Sequence, residues 1–341
     1  MKDVAIVLLN WNGSVLLKQF LPSITSHSQD ANIYVIDNAS TDDSIAYITK
    51  IYPQVTIIQL DKNYGFCKGY NIGLRKIEAS YYVLLNTDVE VTEDWLTQPI
   101  NILRTDDSVG ICQPKIKAWN DKDKFEYAGA AGGYIDSLGY PFCRGRLFES
   151  IEPDIQQYND TVEIFWASGA CFFIRAELFH NSEGFDTNFF AHMEEIDLCW
   201  RVKNKGYKII YCGESMVYHV GGATLMKNNP KKTFLNFRNS LLYLVKNLPI
   251  QKYLPKILAR LVLDGLAGLY FLRKGDFLHT LAVLKAHMSF YVKVWSYVGK
   301  KKSYTFSPVY KKSIVVDFYL KRKKKTSELR YLKFPNYTPF S

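Results

Sequence analysis

The chain has 341 residues, of which 48% are apolar and 22% charged. That is the balance of a folded protein with ample length for a core, and it excludes a disordered or low-complexity chain. The net charge of +10 is uneven, because residues 231–341 hold 23 Lys/Arg against 4 Asp/Glu while residues 1–230 hold 20 against 29; no nucleic-acid module accompanies the basic tail, so nucleic acid is not the expected partner.

Val4 to Leu9 is an unbroken apolar run, ended by Asn10-Trp11-Asn12-Gly13. Val15, Leu16, Phe20, Leu21 and Ile24 then carry helical spacing. Ile33 to Ile36 reads as a second strand, closed by Asp37-Asn38-Ala39-Ser40-Thr41-Asp42. Ser40 or Thr41 is expected to cap the helix through Ile45, Ile48 and Ile51. Val55 to Leu60 is a third strand, and Asn63-Tyr64-Gly65-Phe66-Cys67-Lys68-Gly69-Tyr70-Asn71-Ile72-Gly73 opens another helix. Tyr81 to Leu85 runs into Asn86-Thr87-Asp88 and emerges as Val89 and Val91. Strands alternating with helices predict an α/β fold with a parallel, doubly wound sheet, each strand buried on both faces.

Beyond Asp94 and one more helix the alternation loosens. Residues 118–165, rich in Gly, Tyr and Asp, read as irregular loops or a hairpin. Order returns at Trp166 to Arg175, and Glu194 to Arg201 is helical by the spacing of Ile196, Cys199 and Trp200. Lys208–Tyr211 and Met216–Val220 are expected as two short strands. From 231 the chain becomes a basic, amphipathic helical appendage. Ile257 to Leu272 is strongly apolar but interrupted by Arg260 and Asp264, and it is shorter than the roughly 20 residues of a spanning helix. The appendage is expected to lie on a membrane surface, helped by Lys300-Lys301-Lys302 and Lys321-Arg322-Lys323-Lys324-Lys325, at about 1 kcal/mol per basic residue near anionic lipid. The alternative is that these helices pack on the first 230 residues.

Cys67, Cys112, Cys143, Cys171, Cys199 and Cys212 include no Cys-x-x-Cys pair, and no signal-peptide pattern opens the sequence. A reducing, cytoplasmic setting is expected, with the cysteines as small core residues.

Asn86 and Asp88 leave an extended chain on one side. At a carboxyl strand edge, where ligands of open α/β sheets collect, they can hold a divalent cation through oxygen with water and a phosphate-bearing substrate completing it. Asn-Thr-Asp is equally a turn by composition.

Taken together, Asn10-Trp11-Asn12-Gly13, Asp37 to Asp42, Asn86-Thr87-Asp88, Glu194-Glu195-Ile196-Asp197-Leu198-Cys199-Trp200-Arg201 and the Asn63/Gly65/Gly69/Asn71/Gly73 segment resemble the family 2 glycosyltransferases. The resemblance covers roughly residues 3–225 and is closest to the bacterial rhamnosyltransferase-like branch that builds surface polysaccharide. It implies a GT-A (Rossmann-like) fold, a mixed, mostly parallel sheet flanked by helices, as a catalytic domain over 1–230 with the appendage over 231–341. It also implies transfer from a UDP- or dTDP-sugar to a saccharide or lipid-linked acceptor. In this resemblance Asp37 binds the nucleoside, Asn10 and Asn12 touch the nucleotide, and Asn63, Gly65, Gly69 and Asn86 belong to the donor site. Gly65 and Gly69 would let the backbone approach the donor, and Lys68 would reach a phosphate. Asp88 matches the metal aspartate, with Asn86 standing where the signature has its first acid. Mg²⁺ or Mn²⁺ would then be held by Asp88, water and the diphosphate, with His219 a further metal or phosphate ligand. Glu194-Glu195 occupies the place of a Glu-Asp pair whose second member is the base, which makes Glu195 the base and Glu194 its alternative. Asp197 and Arg201, four apart, look like a supporting ion pair. Trp166, Ser168 and Gly169 would shape the acceptor side.

Two other readings remain beside this one: a catalytically silent scaffold with the same fold, and a sugar-nucleotide nucleotidyltransferase. The second needs a Gly-rich, basic loop after the first strand, and Asn10-Trp11-Asn12-Gly13 is not one. Oligomeric state, a homodimer included, is open at this point.

Overall fold

The computed structural model describes residues 3–221, 229–299, 310–329 and 337. Four parallel strands come first, β1 (Val4–Asn10), β2 (Asn32–Asp37), β3 (Thr56–Gln59) and β4 (Tyr81–Leu85), separated by α1 (Ser14–Ser26), α2 (Ser44–Ile51) and α3 (Gly65–Leu74). Val4, Ile6 and Leu8 enter one core cluster, and Ala5 and Val7 the other. Both faces of β1 are therefore covered, which its unbroken apolar run requires. α2 starts at Ser44, later than a cap at Ser40 or Thr41 would allow. Ser40 instead turns its hydroxyl toward Asn10 and the Asn12 backbone, stitching two loops together.

Gly73 on α3 presses on β2: a Cβ there would fall 2.2 Å from Ile36 Cδ1. Overpacking of about 1–3 kcal/mol should outweigh a helix-propensity gain of about 1 kcal/mol. Gly73→Ala is thus expected to lower the urea midpoint of unfolding.

The second half adds β5 (Val89–Val91), α4 (Thr97–Thr105), β6 (Val109–Ala118) and β7 (Asp121–Phe125), then a small antiparallel sheet of β8 (Gly133–Ile135), β9 (Pro141–Cys143), β10 (Arg146–Leu147) and β11 (Ser150–Ile151). β12 (Thr161–Glu163), β13 (Cys171–Arg175), α5 (Ala176–Asn181), α6 (Glu194–Asn204) and β14 (Lys208–His219) complete it. The main sheet runs β12-β14-β6-β13-β4-β1-β2-β3, with β5 on β14 and β7 on β6. β13 is antiparallel to both β4 and β6. It therefore enters the sheet at the edge where β4 leaves, Cys171 opposite Leu85.

Two sequence expectations are corrected here. The stretch 118–165 is not irregular loop but, as its hairpin alternative had it, antiparallel, and it holds β7, the small sheet and β12. The two short strands expected at 208–220 are one strand, β14, with a register shift between Cys212 and Met216. Gly213 fits tightly over the Asn159 backbone, and Ser215 donates to the Trp95 carbonyl (2.5 Å), so the polar interruption is a bulge rather than a turn. All six cysteines are buried and unpaired.

The tail forms α7 (Pro230–Asn247), α8 (Ile250–Arg273) and α9 (Phe277–Lys293). α7 places Leu241, Leu242, Tyr243, Leu244 and Val245 in the same core cluster as Trp200 and Tyr211. α8 turns its charges inward. Arg260 and Asp264 are buried and face each other (3.5 Å), with Arg260 donating to Ser240 (2.7 Å), and Tyr140 (3.1 Å) and His287 (3.2 Å) meeting Asp264. Residues 310–329 return to the small sheet: Asp136 accepts from the Ile314 N–H (2.9 Å) and Glu152 from that of Thr326 (2.8 Å). Among the described residues no helix is long and apolar enough to cross a membrane. Lys300-Lys301-Lys302 lies outside the described residues.

Candidate active site

The parallel strands deliver their polar ends to one edge. Asn10, at the end of β1, is fully buried; its amide donates to Asp37 (3.1 Å), Ser40 and Ser44 (3.0 Å each) and accepts from the Gly13 N–H (3.2 Å). These bonds tie the loops after β1 and β2 together. Asn12, at φ 52°, accepts from the Thr41 N–H (2.7 Å) and so bridges the first two loops. Asp37 is buried and also accepts from the Ser40 N–H (3.1 Å). Asn38, to which sequence reasoning gave no role, ties the second loop to the third. Its amide donates to Asn63 (2.9 Å) and to the Gly65 carbonyl (3.2 Å) and accepts from the Tyr64 N–H (2.8 Å). Asn63 in turn accepts from the Gly65 N–H (2.8 Å), an Asx turn that seats Gly65 at φ +74°. Gly69 faces inward, where a Cβ would meet Leu9 at 3.0 Å and Asn38 at 3.2 Å. Its smallness allows the close helix-to-strand packing here. Lys68 is exposed, its ammonium 4.7 Å from the Tyr64 ring centre.

The acidic pair stands on the same edge. The Asn86 N–H donates to the Ala170 carbonyl (2.9 Å), and a Cβ on Gly169 would lie 3.9 Å from that of Glu195. Glu194 is buried at the start of α6 and Glu195 is half-buried, and Oε2 of each is enclosed with no hydrogen-bond partner among the described residues. Burial, and for Glu194 also the charge of Glu195, pushes the Glu194 carboxyl well above its usual range. Burial likewise raises Glu195, against backbone hydrogen bonds that lower it, to about 7. Phe190 lies against the third loop: a Cβ on Gly65 would meet its ring at 3.3 Å, and its carbonyl accepts from the Cys67 thiol (3.4 Å).

The turn that presents this pair is strained. Phe190, His192 and Met193 have φ of 67°, 65° and 73°, none of them glycine. What holds it comes from α7. Asn239, fully buried, points its amide nitrogen at the carbonyls of Phe189 (3.0 Å), Ala191 (3.0 Å) and His192 (2.7 Å), and Arg238 donates to Asn188 (3.2 Å) and Phe189 (2.9 Å). Asp197, behind the pair and fully buried, is held by Arg201 (2.9 Å), Lys246 (2.7 Å) and Asn247 (2.9 Å). Charge from Arg201 and Lys246 outweighs burial and keeps its carboxyl below the ordinary value. Trp166 is buried in the core, its indole N–H donating to the Tyr134 carbonyl (2.9 Å). Ser168 is buried as well, on the Ala128 carbonyl (2.5 Å).

Asp88 and His219 meet where β4 and β14 end. His219 Nε2 lies 3.1 Å from Asp88 Oδ1, and its Nδ1 lies 3.4 Å from Glu126 Oε2, all three side chains buried. Burial alone would lower the His219 pKa, but Asp88 and Glu126 outweigh it and push it up to about 10.

Residues 5–181 match the family model described as glycosyl transferase family 2. The chain belongs to glycosyl transferase family 2. Among curated relatives of this glycosyltransferase, it is 23% identical over 244 residues to an N-acetylglucosaminyl-diphospho-decaprenol L-rhamnosyltransferase of Mycobacterium tuberculosis (64% of this chain, 76% of that protein). It is 24% identical over 217 residues to the rhamnosyltransferase WbbL of Escherichia coli (61% and 80%). Among solved structures it resembles GalNAc-T7 with UDP, GalNAc and Mn²⁺, at TM-score 0.57 and 15% identity, over 72% of this chain and about half (48%) of that one. It also resembles the mannosyltransferase PcManGT of Pyrobaculum calidifontis in complex with GDP-Man and Mn²⁺, at TM-score 0.53 and 14% identity, over 85% and 87%. The fold is GT-A, a mixed and mostly parallel sheet flanked by helices, followed by C-terminal helices.

The Asp88 carboxylate is an oxygen donor of the kind a divalent cation takes, whereas His219, its pKa raised, faces Asp88 and Glu126 with its two ring nitrogens and offers a cation no free nitrogen in this pairing. Among the described residues no group of three or more His, Cys, Asp or Glu side chains is arranged to hold a metal unaided. Glu126 left no mark in the sequence, because it lies between short strands with no periodic pattern around it.

Proposed function

We propose that this glycosyltransferase inverts the configuration of a sugar taken from a UDP- or dTDP-sugar, with Mg²⁺ or Mn²⁺, and delivers it to a saccharide or lipid-linked acceptor in surface-polysaccharide synthesis, at the inner face of a membrane. The observation that carries the reading is the unpartnered Oε2 of Glu195 on the cleft edge that also bears Asn86 and Asp88. The names of the rhamnosyltransferase relatives and the nucleotide-bearing structural neighbours support the donor and acceptor classes.

In this reading Asp37, Asn63, Gly65 and Asn86 line the donor side, and Asn10, Asn12 and Asn38 keep those loops in register. Glu195 takes the proton of the acceptor hydroxyl as its oxygen attacks the anomeric carbon, and the bond to the nucleoside diphosphate breaks on the opposite face. Asp88 would hold the cation, with His219, set by Glu126, as a further metal or phosphate ligand; when bound, the cation would supply positive charge against that which develops on the leaving diphosphate.

Thermal unfolding with UDP or dTDP, each with and without Mn²⁺, tests the donor half. A ligand at a hundredfold excess over its Kd adds about 2.7 kcal/mol to stability, so the preferred nucleotide should raise Tm, and more so with Mn²⁺. Asp88→Ala is expected to abolish the Mn²⁺ increment; an increment of wild-type size in that variant would remove Asp88 from the metal site.

A further inference from the structure

α8 is inside out. Its inward positions are Ile257, Arg260, Asp264 and Gly268, whereas Leu254, Leu258, Val262, Leu266, Leu269 and Leu272 face outward, each 48–65% exposed. Between Leu254 and Leu272 the charged residues are Lys256, Arg260 and Asp264. Arg260 and Asp264 are buried, and Lys256 is half-buried with its ammonium on the Ser137 carbonyl. The outer face of a helix about 36 Å long thus carries no exposed charge over five turns. α9 repeats the pattern: Leu284, Met288, Val292 and, just past its end, Trp295 are 60–76% exposed. A water-facing helix places its polar residues the other way round, and apolar patches of this extent mark interaction surfaces.

We propose that the outer face of the α8–α9 hairpin docks on an anionic lipid bilayer, with the two helices lying in the headgroup plane. The charge around the face selects this occupant. Lys252 precedes the apolar stripe, Arg273 and Lys274 end it, Lys285 and Lys293 lie on α9, and Lys321 to Lys325 follow. A second copy of the chain would bring this basic rim against itself, which like charges oppose; an anionic surface complements it. The inner polar face, fixed to Ser240, Tyr140 and His287, keeps α8 on the protein and so in the surface plane rather than across it. Aromatic Trp295 at the edge of the apolar surface suits a headgroup interface. The proposal deepens the lipid-linked reading of the acceptor and rests on it for its purpose, yet its test needs no turnover.

The full-length chain is floated with vesicles of phosphatidylcholine alone or with phosphatidylglycerol. Wild type is expected to rise with the anionic vesicles and far less with the neutral ones. Leu258→Glu/Leu266→Glu, which changes only outward positions, should lose at least tenfold in bound fraction with its nucleotide-induced Tm shift intact. Arg273→Ala/Lys274→Ala should weaken the preference for anionic lipid while the apolar face remains. Wild type that stays at the bottom with both vesicles overturns the proposal, as does a Leu-to-Glu variant that floats equally well. So does a lipid-free dimer that the same variant converts to monomer, because the face would then be an interface between copies. Wild type that transfers sugar to a soluble acceptor yet does not float sinks the docking face alone; flotation of wild type without turnover sinks the enzymatic reading alone.

Discussion

Glu195→Gln is expected to lower kcat by about 10²–10⁴, the usual contribution of a positioned general base, while the donor still raises Tm as it does in wild type. The amide fills the same space, so binding survives and proton transfer does not. The pH dependence sharpens the assignment. With the folded-state pKa of Glu195 raised to about 7, wild-type kcat/KM should climb about tenfold per unit below that value and level off above it. Stability should run the other way. Between the ordinary carboxyl pKa and about 7 the folded chain keeps a proton that the unfolded chain has lost, so stability falls as pH rises through that window. The variant, having no proton to lose at this position, should show a flatter profile and be the more stable protein at pH 8. If Glu194→Gln abolished turnover and Glu195→Gln did not, the two roles would be exchanged.

Asn239→Ala should reduce kcat by about one to two orders of magnitude with donor affinity nearly unchanged. The variant leaves the Ala191 and His192 carbonyls without their side-chain donor, while Phe189 keeps Arg238, at about 1–3 kcal/mol per unsatisfied buried group. It also frees a backbone in which each left-handed residue stores about 1–3 kcal/mol of strain. The turn is expected to relax and draw Glu195 away from the cleft, while the loops after β1, β2 and β4, which Asn239 does not touch, go on binding nucleotide. Asn239→Asp should be worse, since a carboxylate would face the same three oxygens. A loss of stability with kcat per folded molecule unchanged would reduce Asn239 to a packing role.

The sheet was legible because its strands obey simple rules: apolar runs at 4–9, 33–36 and 81–85, each closed by polar residues. The Asn86-Thr87-Asp88 and Glu194-Glu195 stretches were legible as motifs, and the metal and base roles proposed for them rest on that resemblance. Tertiary partnership was not. Asn239 reads as a neutral polar residue in a helix, and only the folded turn supplies its three acceptors. Arg260 and Asp264 read as interruptions of an apolar helix, yet their pairing lets them lie inside and turns the leucines out. Gly213 to Ser215 looked like the gap between two strands because a bulge and a turn use the same residues. Strands of two or three residues, as in the small sheet, are too short to display a period.

That small sheet has one more implication. Asp136 and Glu152 take backbone N–H groups from Ile314 and Thr326, more than 170 positions downstream. On the ribosome, Tyr134, Phe142 and Leu147 are made well before the segment that brackets them. Closure at such sequence separation is slow, and apolar surface left waiting invites aggregation. Release of a polypeptide cut off before residue 310 should therefore yield a chaperone-bound or insoluble product, although every strand of the main sheet has by then been translated.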